Sequence, residues 1–161
     1  MPLMLYGGKL LVVGGALAAD PACCCEASSC TCCQSGTVPD TIPLLISGIG
    51  DGSCQGCGSV NGSYSLRYVS GCLWQAEPRL VQICGLSMSV SCSLEITCDG
   101  TDTIITVHFL LFWRAPELAI DFVKVVTGKP IDCTQDIQGL YAGNVIYSSG
   151  TCAGSNAACT I

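Results

Sequence analysis

The chain has 161 residues, half of them apolar and only 11% charged, with a formal net charge of −6 and six Lys plus Arg. So few basic side chains cannot neutralise a run of phosphates, which excludes nucleic-acid binding. The longest apolar run, IITVHFLLFW, is interrupted by His108 and falls short of the roughly 18 residues that span a bilayer as a helix. A surface this poor in charge suits a protein packed against neighbours or heavily cross-linked.

Residues 1–20 carry LYGGKLL and VVGGALA, two copies of one pattern seven residues apart. Each Gly-Gly pair tolerates the positive φ of a two-residue hairpin turn. Residues 3–19 therefore read as a three-stranded meander. Strands this short and apolar need a partner surface. Leu5, Tyr6, Leu10, Leu11, Val12 and Val13 would supply the contacts of an assembly arm docked on a neighbouring subunit. The rival reading is a cleaved signal peptide, with Ala16-Leu17-Ala18 as the cleavage site.

Residues 21–36 form a cysteine-rich knot. Six of the eleven residues 23–33 are cysteine: Cys23, Cys24, Cys25, Cys30, Cys32 and Cys33. Adjacent cysteines are badly placed to bond to each other, so the knot either cross-links outward or wraps a cation. Thiolates are the ligands of zinc and of iron–sulfur centres. Cys54-x2-Cys57, in a Gly-rich turn, is a second half-site of the same kind. These eight cysteines are the candidate metal ligands, with disulfides as the alternative. The total of fifteen is odd, so at least one thiol is free, metal-bound or bonded to another chain.

Residues 37–161 read as an antiparallel β-sandwich or barrel-like domain. TIPLLISGI (41–49) opens it. SYSLRYVSGCLWQAE follows as a hairpin turning at Ser70-Gly71. In LSMSVSCSLEITC (86–98) every even position is apolar and every odd position polar, the period of a half-buried strand. Asp99-Gly100 turns the chain into TIITVHFLLFW (103–113), apolar on both faces and hence central or covered. ELAIDFVKVV (117–126) is the segment with the strongest helical alternative, and NVIYSS (144–149) closes the set. Turn residues recurring at short intervals make the whole all-β.

Cys92 and Cys98 share the apolar face of one strand but lie six residues apart, roughly 20 Å, too far to bond to each other. They read either as small core residues or as partners of other strands. Cys72, Cys84, Cys133, Cys152 and Cys159 have no connectivity fixed by spacing. The one histidine, His108, reads as structural. No nucleophile elbow or phosphate loop occurs, and the chain is expected not to be an enzyme. Asp51, Asp99 and Asp102 read as turn formers, and Asn61-Gly62-Ser63 matches a glycosylation acceptor.

LYGGKLLVVGGALAADPACCC, then CQGCGSVNGSYSLRY and GCLWQAE, resembles small cysteine-rich proteins of unassigned role. These are encoded in the structural gene clusters of tailed phages and prophages, with related forms in marine and planctomycete genomes. The likeness covers roughly the first half of the chain. It implies a virion component of the tail tip, baseplate or a fibre, assembled in the host cytoplasm among other tail proteins and copies of itself. No catalytic residue comes with it. The alternatives are a secreted or surface domain, adhesive or glycan-binding through Tyr64, Tyr68, Trp74 or Trp113, and a self-assembling extracellular filament subunit.

Overall fold

A strand with one apolar and one polar side must bury the first, and a chain built of such strands closes on itself. In the computed structural model, which describes residues 30–161, it does so as an antiparallel barrel. The strands are β1 (Thr41–Ser47), β2 (Gly50–Asp51), β3 (Gly62–Ser70), β4 (Leu73–Gln75), β5 (Arg79–Ile83), β6 (Leu86–Asp99), β7 (Asp102–Phe112), β8 (Pro116–Thr127), β9 (Leu140–Ser148), β10 (Cys152–Ala153) and β11 (Ala158–Thr160). A short 3-10 turn at Cys57–Val60 precedes β3.

The sheet runs β4-β3-β1-β11-β9-β8-β7-β6, and β6 pairs back onto β4. Eight strands thus close a ring. The same edge of the long β6 holds both short strands: Leu86–Val90 pair with β5, and Ser93–Glu95 pair with β4. β2 and β10 form a separate two-stranded ladder. The assembly arm expected at residues 1–20, with Leu5, Tyr6, Leu10, Leu11, Val12 and Val13, lies outside the described residues, as do Cys23, Cys24 and Cys25.

An eight-stranded barrel is just wide enough for its own side chains to fill. Trp74, Phe109, Phe122 and Tyr141 are fully buried, with Leu66, Leu94, Ile105 and Leu111 among them. β6 alternates as its sequence demands, sending Met88, Val90, Cys92, Leu94 and Ile96 inward. β7 sends Ile105, Val107, Phe109 and Leu111 inward and is central, flanked by β6 and β8.

One strand expectation holds against its helical alternative, and one turn shifts by a residue. The segment 117–126 is a strand, because Leu118, Ile120 and Phe122 alternate with Ala119, Asp121 and Val123 and so line one face of a pleat. The turn after β6 is Gly100-Thr101, one residue later than expected, since Asp99 and Asp102 form the last ladder pair. Gly100 supplies the positive φ (57°) that the first position of such a turn requires. At Gly143, a Cβ would lie 2.8 Å from the Ala157 carbonyl oxygen and 2.9 Å from Ile120 and Phe122 side-chain carbons. Its missing side chain lets β9 run hard against the filled interior.

Candidate functional site

The chain from Cys30 to Gln34 is laid against residue 131. Ile131 N–H donates to the Cys32 carbonyl and Gln34 N–H to the Ile131 carbonyl, each at 2.8 Å. This fixes three buried cysteines beside three different parts of the barrel. Cys30 bonds to Cys72 at the β3–β4 turn, Cys32 to Cys98 near the end of β6, and Cys33 to Cys133 in the β8–β9 connection. The bonds converge. The Sγ atoms of Cys30, Cys32 and Cys72 all lie within 4.8 Å of one another, and Cys33 Sγ is 3.4 Å from Cys30 Sγ.

Cys54 and Cys57 do not join them. Cys54 bonds to Cys84 and Cys57 to Cys152. The Cys54-x2-Cys57 spacing therefore does not act as a half-site completing the 30–33 group. Its two sulfurs go to different partners, and within the turn Asp51 Oδ1 accepts the Cys57 N–H at 2.6 Å. Asp51 is thus a turn former, as expected. Asn61 is likewise occupied, since its amide accepts from Ile49 N–H (3.0 Å) and donates to the Ile49 carbonyl (2.8 Å). A glycan on that nitrogen would displace the second bond.

Two cysteines among the described residues are free, Cys92 and Cys159, both inside the barrel. Burial raises the Cys92 thiol from 9.0 to about 12, helped by the nearby Cys159 and opposed by Arg79. Burial raises Cys159 from 9.0 to about 12 as well. Tyr64 rises from 10.0 to about 12, first by burial and then by Cys92, against Arg79. Since the thiolate is the reactive form, alkylation of the native protein at pH 8 is expected to spare both cysteines and to reach them in denaturant, as read by peptide mapping. Above pH 9 the folded state holds protons that the unfolded chain releases. Stability is therefore expected to be level below that pH and to fall as pH rises toward 12, which denaturant midpoints on either side of pH 9 would check.

Of the four candidate stacking residues, two are turned inward, while Trp113 is exposed with the Arg114 guanidinium over its ring. Trp74 is fully buried, and its indole N–H donates to the Pro39 carbonyl at 2.7 Å. Tyr64 is buried, with its hydroxyl donating to the Val60 carbonyl. Tyr68 is half-buried and packs edge-on against Trp74, with ring centroids 5.2 Å apart. Trp74 and Tyr64 thus fill the barrel and its end and present no face to a sugar.

Two surface features were not anticipated. Ladder register places Ser93, His108, Asp121 and Asn144 in one row across the outer wall. His108 Nδ1 is 2.7 Å from Asp121 Oδ1 and its Nε2 is 3.9 Å from Glu95 Oε2, so the ring is held between two carboxylates. The residues come from three strands, and only the register brings them together. Apolar groups flank that row. Val123 and Val125 stand out on one side, while Ile146, Tyr147 and Phe112 stand out on the other. A cleft of about 250 Å³ opens between β3 and the β4–β5 link, lined by Ser63, Ser65, Arg67, Glu77 and Arg79. Arg79 is already committed there, donating to the Ser59 and Val60 carbonyls and to the Tyr64 hydroxyl at 2.8 to 3.2 Å.

The class defined by these features is a disulfide-stapled, closed antiparallel β-barrel with a filled interior. No protein-family model, curated protein or solved structure matches the chain. Among the described residues no helix is long and apolar enough to cross a membrane.

Proposed function

We propose that this barrel is a non-catalytic assembly module that works outside the reducing cytoplasm and makes its contacts through its outer wall, chiefly with copies of itself. The observation that carries this is the set of five disulfides among the described residues, which tie the 30–33 segment and the β2–β10 ladder to the barrel. Bonds of this kind persist in oxidising surroundings. The filled interior directs attention outward, since side chains occupy the space a lumenal ligand would need. Among the described residues, seven of the ten exposed large apolar side chains lie on β7–β9 or the β7–β8 turn. Apolar groups concentrated on one wall mark an interaction surface.

A secreted or surface-displayed subunit fits the disulfides best. The resemblance to tailed-phage structural proteins supplies a second setting, a tail-tip, baseplate or fibre component whose bonds close after release from the cell. In either, association is tested by sedimentation of the oxidised chain beside a Val125→Asp, Ile146→Asp variant. The wild type is expected to associate with rising concentration and the variant to stay monomeric with an unchanged unfolding midpoint. A wild-type chain that remains monomeric throughout would sink the assembly reading.

A further inference from the structure

We propose that the reduced chain binds one zinc-type divalent cation through Cys30, Cys32, Cys33 and Cys72, so that the sulfurs which become disulfides outside the cell form a metal centre inside it. The inference rests on the reading that the disulfides close outside the cell, not on self-association, and concerns the chain before oxidation.

Four thiolates around a tetrahedral cation at Zn–S distances near 2.3 Å stand about 3.8 Å from one another. Three of these sulfurs already lie within 4.8 Å of one another, and the fourth is 3.4 Å from Cys30. To complete a tetrahedron, Cys30 and Cys72 move apart once their bond is opened, and Cys33, close to Cys30 but outside the group of three, closes on Cys32 and Cys72. The backbone supports the arrangement independently of the sulfurs. Residues 32 and 34 are hydrogen-bonded to residue 131, and Cys72 follows Gly71 (φ 58°) in a tight hairpin turn that presents its side chain to the cluster. Burial of Cys30, Cys32 and Cys33 would shield a bound cation from water.

Softness selects the ion, since an all-thiolate tetrahedral set favours zinc or a like cation over hard ions such as calcium or magnesium. The two states exclude each other. Oxidation takes two electrons from each sulfur pair and gives them to the disulfide of an exchange partner, whose two protons come from any thiol left in the pair and otherwise from water, since the metal-bound sulfurs are already thiolates. That partner leaves as a dithiol, and the cation is released as its ligands are consumed. Before oxidation, the binding free energy of the cation would hold the 30–33 segment against the β3–β4 turn.

The test uses the full chain, reduced and kept from air, titrated with cobalt(II) as a spectroscopic probe and then with zinc(II). The expected result is one cobalt per chain, with thiolate charge-transfer and tetrahedral ligand-field absorption, displaced by one zinc. Zinc should protect Cys30, Cys32, Cys33 and Cys72 from alkylation in the unmodified chain, a readout that needs no variant. Cys30→Ala and Cys72→Ala should each weaken binding more than about tenfold, and Cys54→Ala and Cys84→Ala less than about twofold. Absence of saturable binding overturns the proposal. So does binding that survives the combined Cys30→Ala, Cys72→Ala variant, or protection that maps to Cys23, Cys24 and Cys25 instead.

Discussion

Replacing Cys33 and Cys133 together by alanine is expected to lower the unfolding free energy by about 4 kcal/mol under non-reducing conditions. The two residues are 100 apart in sequence, but the chain between them is not free in the unfolded state. With Cys32 bonded to Cys98, the covalent route from Cys33 steps back one residue, crosses to Cys98 and then runs about 35 residues to Cys133. The ring actually closed is therefore near that of Cys54–Cys84, which are 30 apart. Chain entropy grows only with the logarithm of ring size, so the two double variants should differ by less than about 1 kcal/mol. Guanidinium unfolding of both would read this. The uninterrupted 100-residue loop would widen that difference only to about 1 kcal/mol, so an excess loss of that size at Cys33–Cys133 would mean that Cys32–Cys98 does not shorten the loop.

Trp74→Ala should cost about 3–5 kcal/mol, the range for removing a large aromatic side chain from a packed core. The residue is fully buried, packs against Tyr68 and donates its indole N–H to Pro39. It also sits on β4, the strand that joins β3 to β6 and closes the ring. Trp74→Phe keeps most of the volume and loses the hydrogen bond, so a smaller loss of about 1–2 kcal/mol is expected. Equal midpoints for wild type and Trp74→Ala would place the indole outside the core. Because the alanine variant should unfold readily, loss of glycan binding in it would say nothing about a sugar site.

Alternation made β6 legible, since seven apolar residues on even positions leave one solution for which side faces in. The β3–β4 hairpin was legible for the same reason, with Gly71 marking its turn. The strand nature of residues 117–126 was less plain because Val123, Val125 and Val126 blur the period beyond Phe122. β5 escaped notice: RLVQI is short, follows Pro78 and leaves Leu80 exposed, and only pairing with β6 makes it a strand. Density singled out the 30–33 cysteines, but their partners at 72, 98 and 133 are fixed by which loops the closed barrel brings to one end. Spacing along the chain carries no record of that. Cys92 and Cys98 illustrate the limit. They stand on one face of one strand, yet Cys92 is a free core thiol and Cys98 a cross-link, because only the latter lies near the end where Cys32 arrives.

The convergence of three disulfides on residues 30–33 has a mechanical consequence. Tension applied to the chain upstream of Cys30 passes directly into covalent bonds, which deliver it to the β3–β4 turn, the end of β6 and the β8–β9 connection at once. No ladder hydrogen bond has to be peeled in series along that path. The load is divided among three places on the barrel before any strand can be unzipped, so a pull from that direction should strain the barrel as a whole and leave it folded.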